Sequence, residues 1–366
     1  MLETIFIIGA FQSFFFAVFL LVKKQNHLAN IFMGIWLLTL GLSFVEYWIN
    51  VSETFRSYPH LAGIFSGTPL VNGPLFWLYA YYLLNPNKRW EWKQLLHFIP
   101  LVLYYINALV VLLDLSGEAK IELMDQMIQG VVPLYLLVWG GVKALHGFGY
   151  MFWGLRLLNS HEKRMKDRFS NPHRIQIKWL KVLDLCLMAI YAIAILNWFM
   201  VIFLEINIEF VLGLFSGILV LAGGFFALRQ GILFKPEEIP QLNSLQPSTK
   251  PLIDTALQQK LMDHLNQAKP YLNPDFSLKD FADALQVHPK ELSRAINDGL
   301  QVNFFTLINQ HRVQEFQRQL LDPANDHLSI LGIAYESGFN SKTTFNTTFK
   351  KYVGKTPSAY KKEMRG

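Results

Sequence analysis

The chain has 366 residues, of which 52% are hydrophobic and only 16% are charged, and its formal net charge is +6. Soluble proteins carry about 25% charged residues, so this composition argues against an ordinary soluble protein. The single cysteine, Cys186, excludes an intramolecular disulfide and a cysteine-based zinc site. The sequence also lacks P-loop, HExxH, nucleophile-elbow and kinase signatures, so neither an enzyme nor a cofactor nor a metal site is predicted.

Nearly all the long apolar runs lie before Phe234. A helix needs about 20 mainly apolar residues to cross a bilayer, and the runs predict about seven transmembrane helices. The runs are Thr4–Val22, Leu28–Ile49, Leu61–Leu84, Gln94–Leu113, Val131–Leu155, Trp179–Leu204 and Ile208–Leu228. The third is the least regular, because it contains Pro69, Gly73 and Pro74. The first is predicted to be retained, because neither a basic segment before it nor a small-residue cleavage site after it indicates a signal peptide.

Basic residues are concentrated in alternate loops. They follow the first, third, fifth and seventh runs, at Lys23, Lys24, Lys88, Arg89, Lys93, Arg156, Lys163, Arg164, Lys166, Arg168, Arg174, Lys178, Arg229 and Lys235. The other loops contain only Arg56 and Lys120 as basic residues. The positive-inside rule therefore predicts a multi-pass protein of the cytoplasmic membrane, with its N-terminus outside and its C-terminus in the cytoplasm.

Three ionisable residues inside the predicted spans are candidates for signal sensing. Lys143 and His146 are three residues apart and share one helix face. Ionisable groups in hydrocarbon often mark functional sites, so this face is predicted to hold an anionic ligand or to pair with Asp184. The alternatives are a buried polar cluster for Lys143 and His146, and contact with headgroups or water for Asp184.

The soluble half begins after a proline-rich stretch. Residues 235–253 are predicted to be an extended linker, because their prolines disfavour helix. Residues 254–366 then show apolar positions at helical spacing, starting with a stripe through Leu257, Leu261 and Leu265. This half contains fourteen Lys and Arg against twelve Asp and Glu counted from Pro251, so it is only mildly basic.

Two helix-turn-helix patterns follow. In the first, Ser277 caps a helix to Leu285, Gln286–His288 form the turn, and Pro289 starts a second helix to about Asn297. A long amphipathic helix is predicted from about Phe304 to Leu321. In the second pattern, Ser329 caps a helix through Tyr335, and Gly338 lies in the turn. Ser341 caps a final helix to about Tyr352, and Gly354 ends it.

The second pattern resembles the signature of the AraC family of bacterial regulators. The matching anchors are Ala334, Gly338, Phe339, Phe345, Phe349, Lys350, Gly354, Pro357 and Tyr360. Leu292–Arg294 and Phe304–Arg312 are similar to the upstream unit of that family, and the resemblance covers roughly Leu261 to Lys362. Gly73–Tyr79 and His97–Pro100 resemble a membrane-embedded group of these regulators with a multi-span region before the same domain. The whole chain is thus predicted to be all-α, a seven-helix transmembrane region (1–234) followed by an AraC-type domain (254–366).

The resemblance implies that two recognition helices enter successive major-groove segments of double-stranded DNA. A stiff connecting helix must then hold them about 34 Å apart, one turn of the duplex. We call the two recognition helices, with the residues just before them, the first and the second reader. Residues implied to face bases or phosphates are Lys290, Ser293 and Arg294 in the first reader, and Asn340, Ser341, Lys342, Thr343, Asn346, Thr347, Lys350 and Lys351 in the second. Arg294 is the strongest candidate for guanine, because its forked guanidinium matches O6 and N7.

The sequence therefore predicts a membrane-anchored transcription regulator that couples a membrane or extracellular signal to gene expression. Candidate partners are DNA, the lipid bilayer, RNA polymerase, a small-molecule ligand of unidentified chemistry and a second copy of the chain. Two alternatives stay open at this stage. One is a membrane receptor whose helix-turn-helix region binds protein, and the other is a transporter with an appended regulator domain.

Overall fold

A computed structural model of the chain describes residues 2–23, 27–129, 131–170, 177–204, 213, 215–218, 222–227 and 255–365. These residues form helices and turns with one isolated β-bridge and no strand, which confirms the predicted all-α class. The chain divides into two compact units. One comprises Met1–Asn159 and Gln176–Leu242, and the other comprises Ser160–Ile175 and Asn243–Gly366. The predicted linker at 235–253 and ten of the 21 residues of the predicted span Ile208–Leu228 lie outside the described residues.

The described helices of the first unit are mostly apolar. They are α1 (Leu2–Val22), α2 (His27–Val51), α3 (Thr54–Ser57), α4 (Pro69–Leu84), α5 (Ile99–Asp114), α6 (Gly117–Ile128), α7 (Leu134–Lys166) and α8 (Lys178–Leu204). The last residues of α7 belong to the second unit. Helices α1 and α2 pack closely because α2 presents glycines to α1. A Cβ at Gly34 would lie 2.7 Å from Leu21, and one at Gly41 would lie 2.6 Å from Phe14.

Three described helices are long and apolar enough to cross a membrane: Glu3–Val22 within α1, all of α2 and all of α8. Large apolar side chains remain exposed on them, among them Phe11 at 68% on α1 and Phe203 at 73% on α8. Contiguous exposed apolar surface of this kind is typical of a face that contacts lipid or a partner.

The count of seven spans is not confirmed. Helices α4 and α5 have 16 residues each, which gives about 24 Å at 1.5 Å per residue, less than the roughly 30 Å hydrocarbon core. The third predicted span is shortened by a turn before Pro69, where the Glu46 carboxylate accepts hydrogen bonds from the N–H groups of Gly63 and Phe65 at 2.8 and 3.0 Å. At the fifth predicted span, helix α7 continues through polar residues to Lys166, and it is not among the described helices that are apolar enough to cross a membrane.

An amphipathic helix between the apolar runs was missed by the sequence analysis. Helix α6 begins after Ser116, whose hydroxyl accepts a hydrogen bond from the N–H of Ala119. Ile121 and Met124 on α6 pack against a small core that includes Phe55. Because α6 is polar on its other face, no hydropathy window marks it.

The second unit consists of short helices around two cores. Its helices are α9 (Thr255–Ala268), α10 (Leu278–Leu285), α11 (Pro289–Arg294), α12 (Phe304–Leu320), α13 (Ile330–Glu336), α14 (Lys342–Val353) and α15 (Pro357–Arg365). The first core gathers apolar residues of α9, α10 and α11 with Phe304, Leu307 and Ile308 of α12. The second core gathers Val313 and Phe316 of α12 with residues of α13 and α14. Helix α12 is therefore shared by both cores and connects them, as predicted.

Candidate nucleic-acid interface

The first helix-turn-helix is fixed by local capping. Ser277 and Asp280 form a capping box, in which the Ser277 hydroxyl accepts from the N–H of Asp280 and the Asp280 carboxylate accepts from the N–H of Ser277. Gln286 ends α10 in the left-handed conformation at φ 56°. His288 then caps α11, and Pro289 is its first residue, as predicted. Beyond Arg294 the helix widens into a π-helical turn at Ala295–Gly299.

The second helix-turn-helix repeats this logic with other residues. Ser329 caps α13 by accepting a hydrogen bond from the N–H of Gly332 at 3.0 Å. The turn needs Gly338, whose φ is +91°, and Ser341 then caps α14. Gly354 ends α14 at φ +80°. Phe345 and Phe349 of α14 pack on Phe316 of α12 with ring centres 4.6 and 5.2 Å apart, which fixes the exposed face of α14.

Comparison with known proteins agrees with this geometry. The sequence profile of a family described as "Helix-turn-helix domain" matches residues 281–363. The C-terminal domain is an AraC-type helix-turn-helix domain. The chain is also 28% identical over 103 residues to a protein of Staphylococcus aureus (strain COL) described as an uncharacterized HTH-type transcriptional regulator. That match covers 27% of this chain and 13% of the relative, and no solved structure matches the chain.

The first reader of the AraC-type domain exposes part of its predicted contact residues. Leu292 is fully buried, and Lys290, Ser293 and Arg294 are partly exposed. The Ser293 hydroxyl accepts a hydrogen bond from Asn297 at 3.2 Å, so it is partly engaged within the helix. Arg294 Nε lies 3.9 Å from an Asp298 carboxylate oxygen, which is a long contact at the surface and worth little energy.

The second reader separates its two faces more sharply. Thr344, Phe345, Thr348 and Phe349 point into the core. Exposed on the other side, or just before the helix, are Asn340, Lys342, Thr343, Asn346, Thr347, Lys350 and Lys351. The helical repeat thus brings the predicted contact residues of this reader onto one polar, basic face. The Ser341 hydroxyl accepts from the N–H of Thr344 at 3.4 Å, so Ser341 acts first as a cap.

A groove beside the second reader adds residues that the sequence analysis missed. It has a volume of about 670 Å³ and is lined by Asn346, Thr347, Lys350, Lys351, Thr356, Pro357 and Ser358. Thr356 caps α15 by accepting a hydrogen bond from the N–H of Ala359 at 3.3 Å. A helix N-terminus beside two lysines suits a backbone phosphate of DNA. The signal for this contribution was the Thr-Pro pair, since Thr is a frequent N-cap and Pro a frequent first residue.

The candidate sensing residues lie in the first unit, on and beside α7. Lys143 Nζ stands 4.5 Å from the centre of the Tyr104 ring, a cation–π contact. The rings of His146 and Tyr150 are 4.9 Å apart. Lys143 therefore contacts an aromatic side chain of α5, and His146 contacts one of α7 itself.

The third candidate, Asp184, lies on α8 and faces another part of α7. Asp184 is fully buried, and a Cβ on Gly154 of α7 would lie 2.6 Å from its Oδ1. Gly154 follows Lys143 by eleven residues, about 16 Å along α7 at 1.5 Å per residue. The described contacts thus place Asp184 against a different part of α7 from Lys143 and His146. Among the described residues, no group of three or more His, Cys, Asp and Glu side chains could hold a metal ion.

Proposed function

We propose that the protein is a membrane-anchored transcription regulator that binds specific DNA sequences through its AraC-type domain. The observation that carries the proposal is the second reader, whose buried phenylalanines turn a row of polar and basic side chains outward on one helix face. Together with Arg294 on the first reader, this gives two polar faces on helices joined by α12. Such a pair is suited to successive major-groove segments.

The DNA-binding part of the proposal is tested by selection. Full-length protein in lipid nanodiscs is incubated with a random-sequence duplex library, and the retained duplexes are sequenced. We expect a consensus of two half-sites whose centres are about 10 base pairs apart, because each reader spans one major-groove segment. Retention without any sequence enrichment, at a salt concentration where non-specific binding is weak, would contradict sequence-specific recognition and would favour the alternative of a protein-binding receptor.

The membrane topology is a second part of the proposal. Three apolar helices support anchoring, and the alternation of basic loops supports an external N-terminus and a cytoplasmic C-terminus. In this arrangement α6 is outside, and the AraC-type domain reaches the chromosome.

Cysteine labelling of intact cells checks this topology. In a Cys186→Ala background, Glu122→Cys on the exposed face of α6 is expected to react with a membrane-impermeant maleimide. Lys362→Cys on α15 should react only after lysis, because it would be cytoplasmic. Both test positions are exposed, so burial does not explain a difference between them. Labelling of the Lys362→Cys variant in intact cells would exclude the proposed orientation and, with it, access to DNA.

Signal coupling is the third part of the proposal. We expect the region around Lys143 and His146 to respond to a membrane or extracellular signal, with Asp184 as a further candidate. The cation–π contact of Lys143 supports a ligand-responsive role, because an anion would compete with the Tyr104 ring for the ammonium group. A transporter with an appended regulator is the competing function, and uptake by the purified protein in liposomes would favour it.

A further inference from the structure

The residues that follow α7 are joined to the AraC-type domain by hydrogen bonds. The carbonyl of Arg168 accepts from the N–H of Leu278 at 2.9 Å, and Phe169 forms an antiparallel bridge with Ser277. Leu278 is the first residue of α10, and the first N–H groups of a helix have no partner within it. Residues 168–170, which we name the docking segment, therefore satisfy a donor at the start of the first helix-turn-helix.

Ser170 extends this contact to the connecting helix α12. Its side chain is almost completely buried, and its hydroxyl donates to the carbonyl of Phe276. The Ser170 hydroxyl also accepts from Arg312 Nη2 at 3.1 Å, and its carbonyl accepts from Asn309 Nδ2 at 3.2 Å and from Arg312 Nη1 at 3.4 Å. One serine thus links the start of the first helix-turn-helix to two buried side chains of α12.

Arg312 is the point where both helix-turn-helix units meet. Its Nε donates to the carbonyl of Tyr271 at 2.7 Å and its Nη2 to the carbonyl of Asn273 at 2.9 Å, both just before α10. The turn of the second helix-turn-helix lies on the other side of Arg312. A Cβ on Gly338 in that turn would lie 2.9 Å from Arg312 Nε and 2.2 Å from the Tyr271 carbonyl oxygen. The guanidinium therefore lies between the two helix-turn-helix units.

The buried guanidinium of Arg312 depends on Ser170 for hydrogen-bond acceptors. Arg312 is 1% exposed, and burial lowers the pKa of its guanidinium to about 9. The hydrogen bonds described for it all end on carbonyl and hydroxyl oxygens, two of which belong to Ser170. Donors of a buried cation that lose their acceptors are costly, so the group would shift toward water or new partners if Ser170 left.

We infer that Ser170 is a positioning residue of the DNA interface, which holds Arg312 and thereby the spacing of the two reader helices. This inference rests on the proposed function of DNA binding. Two readers on one rigid body must match half-sites about 34 Å apart. A small change in the distance or angle between the readers therefore weakens binding only to duplexes that engage both readers. A residue that merely stabilised the fold would instead weaken binding to every duplex alike.

The test uses the full chain in nanodiscs and the duplex that the wild-type protein selects. Three sets of probes are compared: this duplex, duplexes with either half-site scrambled, and duplexes with one base pair added to or removed from the spacer. For Ser170→Ala we expect about tenfold weaker binding to the selected duplex, because the charged hydrogen bond from Arg312 Nη2 to the Ser170 hydroxyl is lost. We expect less than a twofold change on each single half-site, and a reduced penalty for altered spacers.

Two further variants make the outcome decisive. Ser160→Ala is the matched control, because Ser160 is an exposed serine on α7, ten residues before Ser170, whose described contact is a hydrogen bond accepted from Arg164. We expect this variant to bind every duplex like the wild type. Ser170→Cys retains a donor and an acceptor, weaker than the hydroxyl, on a slightly larger side chain, so it should show the same spacing signature even if Ser170→Ala does not fold. Equal losses on all duplexes, or no loss on the selected duplex, would overturn the inference. If the wild-type chain selects no duplex, the proposed function fails instead.

Discussion

Replacement of Gly338 by alanine is expected to destabilise the AraC-type domain by about 3 kcal/mol. At φ +91° an L-residue is strained by about 1–2 kcal/mol. A Cβ would also lie 2.2 Å from the Tyr271 carbonyl oxygen and 2.9 Å from Arg312 Nε, and overpacking of this kind costs roughly 1–3 kcal/mol. The carbonyl is backbone, so neither neighbour can move without disturbing the junction between the two helix-turn-helix units. The measurement is the urea dependence of amide hydrogen exchange in α12 and α14 of the full chain.

Gly354→Ala is the matched control for Gly338→Ala. Its φ is +80°, similar to that of Gly338, but nothing lies within 4 Å of a Cβ built there. Only the backbone strain of about 1–2 kcal/mol should therefore remain. The difference between the two variants isolates the steric contact with Tyr271 and Arg312. Equal destabilisation by both substitutions would show that the junction tolerates a methyl group and would weaken the role assigned to Arg312.

The fold of the C-terminal half was predictable because its signals are local. Ser277 and Ser341 cap helices where the sequence predicts them. Pro289 starts a helix, Gly338 lies in a turn and Gly354 ends a helix, as predicted. A cap or a left-handed glycine depends on chemistry within about four residues, so one sequence is enough to find it. The burial of alternate faces then follows from the helical repeat. The candidate reader residues were carried over from a family resemblance, and the structure adds only that most of them are exposed or partly exposed.

What the sequence could not reveal depends on residues far apart in the chain. Ser170 and Arg312 are 142 residues apart, and a serine in a basic loop carries no local mark of its partner. The shortened third span has the same cause, because the Glu46 carboxylate holds a turn 17 to 19 residues away. Hydropathy counts the residues of a run without reporting where the backbone leaves the helix. Tertiary hydrogen bonds thus place Ser170 against Arg312 and interrupt the third predicted span.

The docking segment lies close in the chain to the helix that carries two of the candidate sensing residues. Ser170 follows the last residue of α7, Lys166, by four positions, and Lys143 and His146 lie on that same helix. We propose that a signal that moves or rotates α7 acts on Arg312 through Ser170. Coupling of this kind needs an element with two arrangements, and both the sensing site and the DNA-binding site must shift the balance between them. The docking segment is a candidate for that element, because Ser170 follows α7 closely in the chain and contacts Asn309 and Arg312 of α12.

Replacement of Arg294 by glutamate is expected to weaken binding to the selected duplex by about 100-fold or more. A bidentate contact with guanine discriminates by about 1–3 kcal/mol, and a carboxylate in the groove adds repulsion from the phosphates. Arg294→Lys keeps the charge without the fork, so it should relax the preference at one base pair while leaving non-specific affinity nearly unchanged.

The contrast with the lysines of the second reader makes the assignment of Arg294 testable in one titration series. The double substitution of Lys350 and Lys351 by glutamine should weaken all duplexes alike and reduce the slope of log affinity against log salt by about 2, since each lysine neutralises about one phosphate. Arg294→Lys should leave that slope unchanged. Fluorescence anisotropy of the full chain with the selected duplex, its single-base variants and a scrambled duplex at several salt concentrations separates the two patterns. If Arg294→Glu binds the selected duplex as tightly as the wild type, Arg294 does not read a base, and specificity must arise from the second reader or from the shape of the DNA.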